Sequence, residues 1–399
     1  MNAHVNNKPH RIDSDAHALE VAERLAESFA SEASQRDHER QLPHIELEQF
    51  SHSGLWGISV PQTYGGAGVS SVTLAKVIAR IAQADSSLGQ IPQNHFYALE
   101  VLRINGTPEQ QARLYAEVLN GQRFGNALAE LGTKTALDRN TRLERDGDNF
   151  RITGRKFYST GALYAQRIPT LAVDEHGVGH LAFVPRNAAG LEIIDDWTGF
   201  GQRTTGSGSV VLNQVLVAAD DVVPFQSAFE RPTTVGPFAQ LLHAAIDTGI
   251  ARAAYEDTLK FVRSSARPWI DSGVDKASDD PLTLKAIGKL VTQLHASEAL
   301  LEWAAEFVDI AQANPSAETV AQASIAVAEA RAISTEASLN IASKLLELAG
   351  SRGTLAHHNL DRHWRNARTH TLHDPVRWKY HAVGNYYLNE TLPPRRGTI

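Results

Sequence analysis

Arg365-Asn366-Ala367-Arg368-Thr369-His370-Thr371-Leu372-His373-Asp374-Pro375 joins a basic, histidine-bearing run to an Asp-Pro pair. Asp-Pro fits a helix cap followed by the first helical residue, because proline has no N–H to lose there and its φ is already helical. His373 then falls immediately before a helix N-terminus. That positive end lowers an imidazole pKa and favours the neutral ring near pH 7. A neutral imidazole can accept a proton from a bound group or donate a hydrogen bond to it. A surface or purely structural histidine is the competing reading.

Outward from this stretch, the C-terminal part reads as helix. Residues 238–265 form one long helical pattern, Asp280-Pro281 opens a second running to about Asn314, and Ser316 opens a third running to about Ala349. Asp374-Pro375 opens a fourth, with Val376, Tyr380, Val383 and Tyr387 along it. Helices joined by such connections predict a four-helix bundle. From Gln122 to Pro224 the texture is different: β-branched and aromatic residues come in short runs cut by Gly, Asn and Asp. Thr141–Leu143, Phe150–Ile152, Phe157–Ser159, Thr170–Val173, His180–Val184 and Val210–Val217 read as strands, with turns at Asp146-Gly147 and Asn187. This spacing predicts an antiparallel sandwich or barrel rather than a parallel α/β sheet. Before it come a helix over 13–34 (Leu19, Ala22, Leu25, Ala26, Phe29), a loop from Gly54 to Gly68, and a helix over 72–83. A last helix is capped by Thr107, Pro108 and Gln110 and ends near Gly121. The expected fold class is α+β in three domains: helical 1–121, β 122–236 and a four-helix bundle 237–399.

Composition narrows the function. With 38 basic against 45 acidic residues and a net charge of −7, neither nucleic acid nor an anionic membrane face is the expected partner. The chain has no cysteine, which removes disulfides, thiolate metal sites and thiol nucleophiles. No apolar run of membrane-spanning length occurs, and Met1 to Glu20 lack the apolar centre of a secretion signal, so a cytoplasmic location is expected. The one methionine is Met1, so beyond the initiator the chain holds no sulfur. Methionine is a useful filler of irregular cores. Its exclusion together with cysteine fits a protein made when sulfur is scarce; drift or lineage bias is the alternative, and expression under sulfate limitation separates the two. The sequence has no Gly-x-Gly-x-x-Gly after a strand, no phosphate loop and no His-Glu-x-x-His. Gly206-Ser207-Gly208 lacks the glycine spacing of a nucleophile elbow.

The order helices, β domain, four-helix bundle resembles the acyl-CoA dehydrogenases. Phe124-Gly125-Asn126-Ala127-Leu128-Ala129-Glu130 is similar to the segment that opens that family's β domain against the flavin. Gly154-Arg155-Lys156-Phe157-Tyr158-Ser159-Thr160-Gly161 resembles its second flavin-contacting strand, and Asp361–Arg368 resembles the "RD-x-R" stretch near its end. The likeness covers about residues 15–392. Arg365 to Pro375 is most similar to a sub-group: flavin-dependent monooxygenases like the dibenzothiophene enzyme, and the bacterial sulfur acquisition oxidoreductases.

The resemblance implies a soluble flavoenzyme using reduced FMN, or FAD, supplied by a separate reductase, since no nicotinamide site is found. It implies reaction with oxygen through a C4a-hydroperoxyflavin, transfer of an oxygen atom to a small organosulfur compound, and assembly as a homotetramer or homodimer. His373 stands where the dehydrogenases carry a glutamate base, and the related monooxygenases have their histidine act there. Asn126 and Thr160 correspond to polar groups beside the flavin N5/C4a edge, with Ser159 on the same strand. Trp197 corresponds to a ring packed on the isoalloxazine. Arg267, Ser351 and Arg352 correspond to the flavin phosphate, with such arginines able to come from a neighbouring subunit. Gln90 and Asn94, with His95 adjacent, fall where the monooxygenase places a histidine and a tyrosine, which implies a pocket for small, polar sulfur compounds rather than large thiophenes. The readings that compete are a turn-capping amide at Asn126, a core ring at Trp197 and salt bridges at the arginines. Two other functions compete as well: an FAD-dependent acyl-CoA dehydrogenase, and a flavin-free helical assembly or binding protein. A non-haem iron site of His370, His373 and Asp374 is disfavoured because no Glu-x-x-His pairs face it; no metal is expected.

Overall fold

The computed structural model describes residues 9–135 and 138–399; residues 1–8, with which the expected N-terminal domain and the leader reading begin, lie outside them. Six helices come first: α1 (Asp15–Ala30), α2 (Ala33–Glu39), α3 (His44–Ser53), α4 (Ser71–Ala84), α5 (Ser86–Asn105) and α6 (Pro108–Leu119). The single helix expected over 13–34 breaks after Ala30, where the Ser31 hydroxyl donates to the Ser28 carbonyl (2.7 Å) and competes with the helical ladder. Thr107 and Gln110 cap α6 reciprocally, as their spacing predicts. Helix α5 has no periodic signature because it is buried on nearly every face, from Ser86 to Leu102. It is the central rod of the N-terminal half, and only the resemblance pointed to it.

The β region holds β1 (Arg142–Asp146), β2 (Asn149–Lys156), β3 (Arg167–Val173), β4 (Gly179–Pro185), β5 (Leu191–Ile194), β6 (Ser209–Ala218) and β7 (Val222–Pro224). They form one seven-stranded sheet in the order β5-β6-β2-β1-β3-β4-β7. All neighbours pair antiparallel except β1 and β3, which meet in parallel at Arg142 and Val173. Residues from both halves, Leu143, Ile152, Val210 and Val215 with Ile168, Ala182 and Val184, fill one apolar core. The expected antiparallel region is therefore a single sheet with one parallel joint.

One expected strand is absent. Phe157–Ser159 is irregular: β2 ends at Lys156, and Tyr158 adopts a left-handed backbone (φ 55°) that turns the chain away from the sheet. Strands β5 and β7 were not legible beforehand; they are short edges of four and three residues.

After a short α7 (Ser227–Glu230) come three long helices, α8 (Val235–Ser264), α9 (Pro281–Ala313) and α10 (Ala317–Ala349), then α11 (Asp361–His370) and α12 (Val376–Asn389). Asp280 caps α9 by accepting from the Leu282 N–H (2.8 Å), and Ser316 caps α10. The last cap differs from expectation: Pro375, not Asp374, occupies it, and α12 begins at Val376. The Asp374 carboxylate makes no cap bond; its Oδ2 lies 3.8 Å from Lys379 Nζ. Helices from both ends of the chain share one core, in which Phe29, Ile78, Phe96, Leu241, Ala304 and Val327 are all buried.

Arg123 fastens the helical half to the sheet. It is 6% exposed and donates to the carbonyls of Tyr164 (2.8 Å) and Leu47 (3.1 Å), to Ser51 Oγ (2.8 Å) and to Glu48 (2.7 Å). Arg123→Met removes these bonds and strands buried acceptors. The expected cost is about 3 kcal/mol of unfolding free energy, read from urea denaturation, with a conservative Arg123→Lys recovering part of it.

Candidate active site

The segment after α6 runs beside β3, held by Gly125 N–H to the Arg167 carbonyl (2.9 Å) and Ala127 N–H to the Pro169 carbonyl (2.9 Å). This fixes Asn126, 7% exposed, whose Nδ2 donates to the Tyr158 carbonyl (3.1 Å). A side chain at Gly125 would collide with the Ala162 backbone, its Cβ 2.6 Å from Cα, so glycine lets this segment and the 158–162 loop touch. The loop also leans on α5, where a Cβ at Gly161 would stand 3.3 Å from Ile91 Cγ2. Tyr158, strained and exposed, places its ring 6.1 Å from that of half-buried Trp197.

Trp197 Nε1 donates to the Gln202 carbonyl (3.0 Å). Gln202 in turn bonds both sides of the site: its Nε2 donates to the Ser86 carbonyl on α5 (3.3 Å), and its N–H to Asn366 Oδ1 on α11 (2.7 Å). Thr160, on the loop, is bonded through its hydroxyl to Ser207 (2.7 Å).

Across from these, His373 follows α11. Its Nδ1 lies 2.6 Å from the His370 carbonyl oxygen, which only accepts, so Nδ1 carries the proton and Nε2 is a bare lone pair. The Gln90 amide Nε2 stands 3.4 Å from that Nε2. Behind His373 lies a buried cluster. His370 Nδ1 donates to Asp247 Oδ1 (2.5 Å), His243 Nδ1 is 3.0 Å from His370 Nε2, and Arg331 pairs with Asp247. Burial opposes ionisation of Asp247, but Arg331 and His370 outweigh it and hold the carboxyl below the usual range. His373 has an exposed face, yet its pKa is pulled down to about 4, by burial first and then by the neighbouring His370. The neutral imidazole is as expected; its cause is the buried cluster, not the helix end.

The remaining expected residues fall elsewhere. His95 does not line a pocket. It is fully buried, with Nε2 to the Trp56 carbonyl (2.9 Å) and Nδ1 accepting from the Phe124 N–H (3.0 Å), and burial lowers its pKa to about 3. It is a core histidine that anchors the segment carrying Asn126. Asn94 is half-buried on α5. Arg267, Ser351 and Arg352 are exposed at the far end of the bundle, where Arg352 Nη1 donates to the Ser265 carbonyl (2.8 Å). At 1.5 Å per residue, the end of α8 lies about 30 Å from His243 and the His373 cluster. One chain does not bring these arginines to Asn126 and Thr160.

The iron set of His370, His373 and Asp374 is not assembled as one cluster. His370 has both ring nitrogens engaged, and the Asp374 carboxylate faces Lys379. The third ring near His370 and His373 is His243, not an acid. Sequence reading missed His243, Asp247 and Arg331; the available signal was a His and an Asp spaced i, i+4 in an otherwise apolar part of α8.

A flavin fits this arrangement. Asn126 Oδ1, Ser159 Oγ, Gln90 Oε1 and Ser86 Oγ are buried polar atoms without a hydrogen-bond partner. Such groups are costly unless something polar meets them. The carbonyls and N–H groups along an isoalloxazine edge are suitable partners, and an aromatic pair, exposed Tyr158 and half-buried Trp197, stands alongside.

Comparison with known proteins is consistent across the chain. The models of the acyl-CoA dehydrogenase N-terminal and C-terminal domains match residues 13–122 and 241–378. A probable FMNH2-dependent monooxygenase, SfnC of Pseudomonas putida, is 32% identical over 98% of each chain. The FMN-bound structure of TdsC, the dibenzothiophene monooxygenase of Paenibacillus sp. A11-2, superposes with a TM-score of 0.91 at 32% identity, covering 96% of this chain and 100% of that one. Methanesulfinate monooxygenase MsuC of Pseudomonas fluorescens gives 0.89 at 33% identity, covering 96% and 99%.

Because His373 is neutral until about pH 4 in the folded protein, the unfolded chain binds its proton first as pH falls from 6.5. Stability is therefore full above about pH 6.5 and declines toward pH 4. The slope of unfolding free energy between these limits should shrink in His373→Asn, which does not titrate. The acid limb of activity should sit near pH 4 rather than 6.5, read from a kcat/KM profile.

Proposed function

The chain belongs to the acyl-CoA dehydrogenase family, in the group that includes dibenzothiophene monooxygenase, and we propose that it oxidises a small organosulfur compound in sulfur acquisition. It is a flavin-dependent monooxygenase, and FMN is its cofactor. The observation that carries the reading is His373: a neutral imidazole with its Nε2 lone pair open to the site, where a dehydrogenase would hold a carboxylate.

When bound, reduced FMN supplies the electrons that split dioxygen, one atom going to the substrate and one to water. The chain does the rest. Asn126 and Ser159 offer unpartnered polar atoms to the flavin edge, and Trp197 with Tyr158 flanks it. His373 Nε2 receives or returns a proton at that edge, steered by the Gln90 amide. The carbonyl of His370 keeps the other ring nitrogen protonated, so the ring cannot present the wrong tautomer. Water must be kept from the oxygen chemistry, since solvent-assisted elimination would release hydrogen peroxide with the flavin returned oxidised.

The finer features follow. The amide of Gln90, with Asn94 on the same helix, suits a small polar substrate such as a sulfinate, sulfone or sulfoxide, and the sulfur-free composition fits a role under sulfur limitation. A separate reductase supplies reduced FMN in a cytoplasmic setting; no helix among the described residues is long and apolar enough to cross a membrane. The working unit is a homodimer or homotetramer, in which Arg267, Ser351 and Arg352 of one copy reach the flavin phosphate of another. Their separation from His373 within one chain is the reason a second copy is invoked.

The test uses protein, reduced FMN and oxygen with a panel of sulfinates, sulfones and sulfoxides, comparing product with hydrogen peroxide. His373→Ala should lower product formation at least about a hundredfold, the usual worth of a positioned acid–base group, and divert the electrons to peroxide. Equal product yield in the variant would remove His373 from the mechanism. Oxidation of an acyl-CoA with an electron-accepting dye, without oxygen, would restore the dehydrogenase alternative.

A further inference from the structure

Thr160, Ser207 and Thr205 form a line of buried hydroxyls, none more than 5% exposed. Thr160 Oγ1 lies 2.7 Å from Ser207 Oγ, Ser207 Oγ lies 2.7 Å from Thr205 Oγ1, and Thr205 Oγ1 donates to the Gln202 carbonyl at 3.0 Å. The line is clamped at both ends. Ser159 N–H bonds the Gly208 carbonyl and Gly161 N–H bonds the Thr205 carbonyl, each at 3.1 Å.

A hydroxyl has one proton and two lone pairs, and a carbonyl has no proton to give. The proton of Thr205 is thus committed to Gln202. Ser207 must then donate to Thr205, and Thr160 must donate to Ser207. Thr160 Oγ1 is left with a lone pair to offer and no proton.

We propose that this relay makes Thr160 a fixed acceptor and so selects the reduced form of the flavin. The inference rests on the reading above that the flavin N5 edge lies at Thr160. Reduced isoalloxazine carries N5–H, which the Thr160 lone pair accepts. Oxidised isoalloxazine presents a bare lone pair at N5, which the same atom repels. Reversing the line, so that Thr160 donates to oxidised N5, gives up the Thr205 hydroxyl's bond to Gln202, whose carbonyl keeps its bonds from Trp197 Nε1 and the Thr205 N–H. Thr205 and Ser207 are positioning residues, acting through Thr160. An enzyme that takes up reduced flavin and must release it oxidised gains from this bias: the spent cofactor is expelled by the group that held the fresh one.

The experiment measures the dissociation constants of the full-length protein for oxidised FMN in air and reduced FMN under anaerobic conditions. Wild type should favour the reduced form by about tenfold or more. In Thr205→Val the anchor is lost, the line can reverse, and the preference should fall by about three- to tenfold, mainly through tighter binding of oxidised FMN. Thr205→Ser should behave as wild type, and Ser207→Ala, which frees the Thr160 proton directly, should repeat the effect if Thr205→Val folds poorly. A ratio unchanged in both relay variants but altered in Thr160→Val overturns the relay while leaving the flavin at Thr160. No change of either affinity in Thr160→Val overturns the placement and the relay together.

Discussion

Asp247 is a carboxylate with no exposed surface, set between Arg331 and His370 where α8, α10 and α11 meet. A charge in that position is tolerable only because both partners are present; removing one leaves an uncompensated buried charge. The pairing fixes the proton on His370 Nδ1, and that leaves His370 Nε2 to accept from His243. The end of α11 is thereby held in one position, with the His370 carbonyl at the correct place to take the Nδ1 proton of His373. A buried ion pair between three helices thus decides which nitrogen of an exposed imidazole is free to react.

The other side of the site is organised differently, by backbone rather than charge. Gly125 and Gly161 permit two segments to approach each other and α5, the left-handed Tyr158 turns the chain out of β2, and Gln202 links α5 to α11 through its amide and its backbone N–H. The hydroxyls of Thr160, Ser207 and Thr205 sit in this rigid frame. The bundle side thus holds a proton acceptor and the sheet side a row of directed hydrogen bonds, and their spatial separation lets acid–base control and cofactor recognition be tuned independently.

Much of the architecture was readable because its signals are local. Asp280-Pro281, Ser316 and the Thr107–Gln110 box mark helix starts through hydrogen bonds made within a few residues, and the strands announce themselves through β-branched runs. Helix α5 was not readable from periodicity, since a helix buried all round has no apolar stripe. Phe157–Ser159 has strand composition, yet contact with the 124–127 segment and α5 overrides it. His373 was found through a long resembling string, but its neutrality was assigned to a helix end when it depends on burial first and then on His370, three residues earlier at the end of α11. His95 shows the opposite error: beside two site positions in sequence, it points into the core. Polar residues that act through tertiary contacts, such as Arg331 and Ser207, carry no local mark of that contact, and Asp247 carries only its i, i+4 spacing from His243.

The central claim is that oxygen from dioxygen reaches a sulfur compound on this protein. The direct measurement is turnover with reduced FMN and isotopically labelled dioxygen against a series of small sulfinates, sulfones and sulfoxides, with mass spectrometry of the product. The account predicts one labelled oxygen atom gained per turnover, with the second recovered in water. Failure of every sulfur compound to gain label, with all reducing equivalents recovered as hydrogen peroxide, would contradict it.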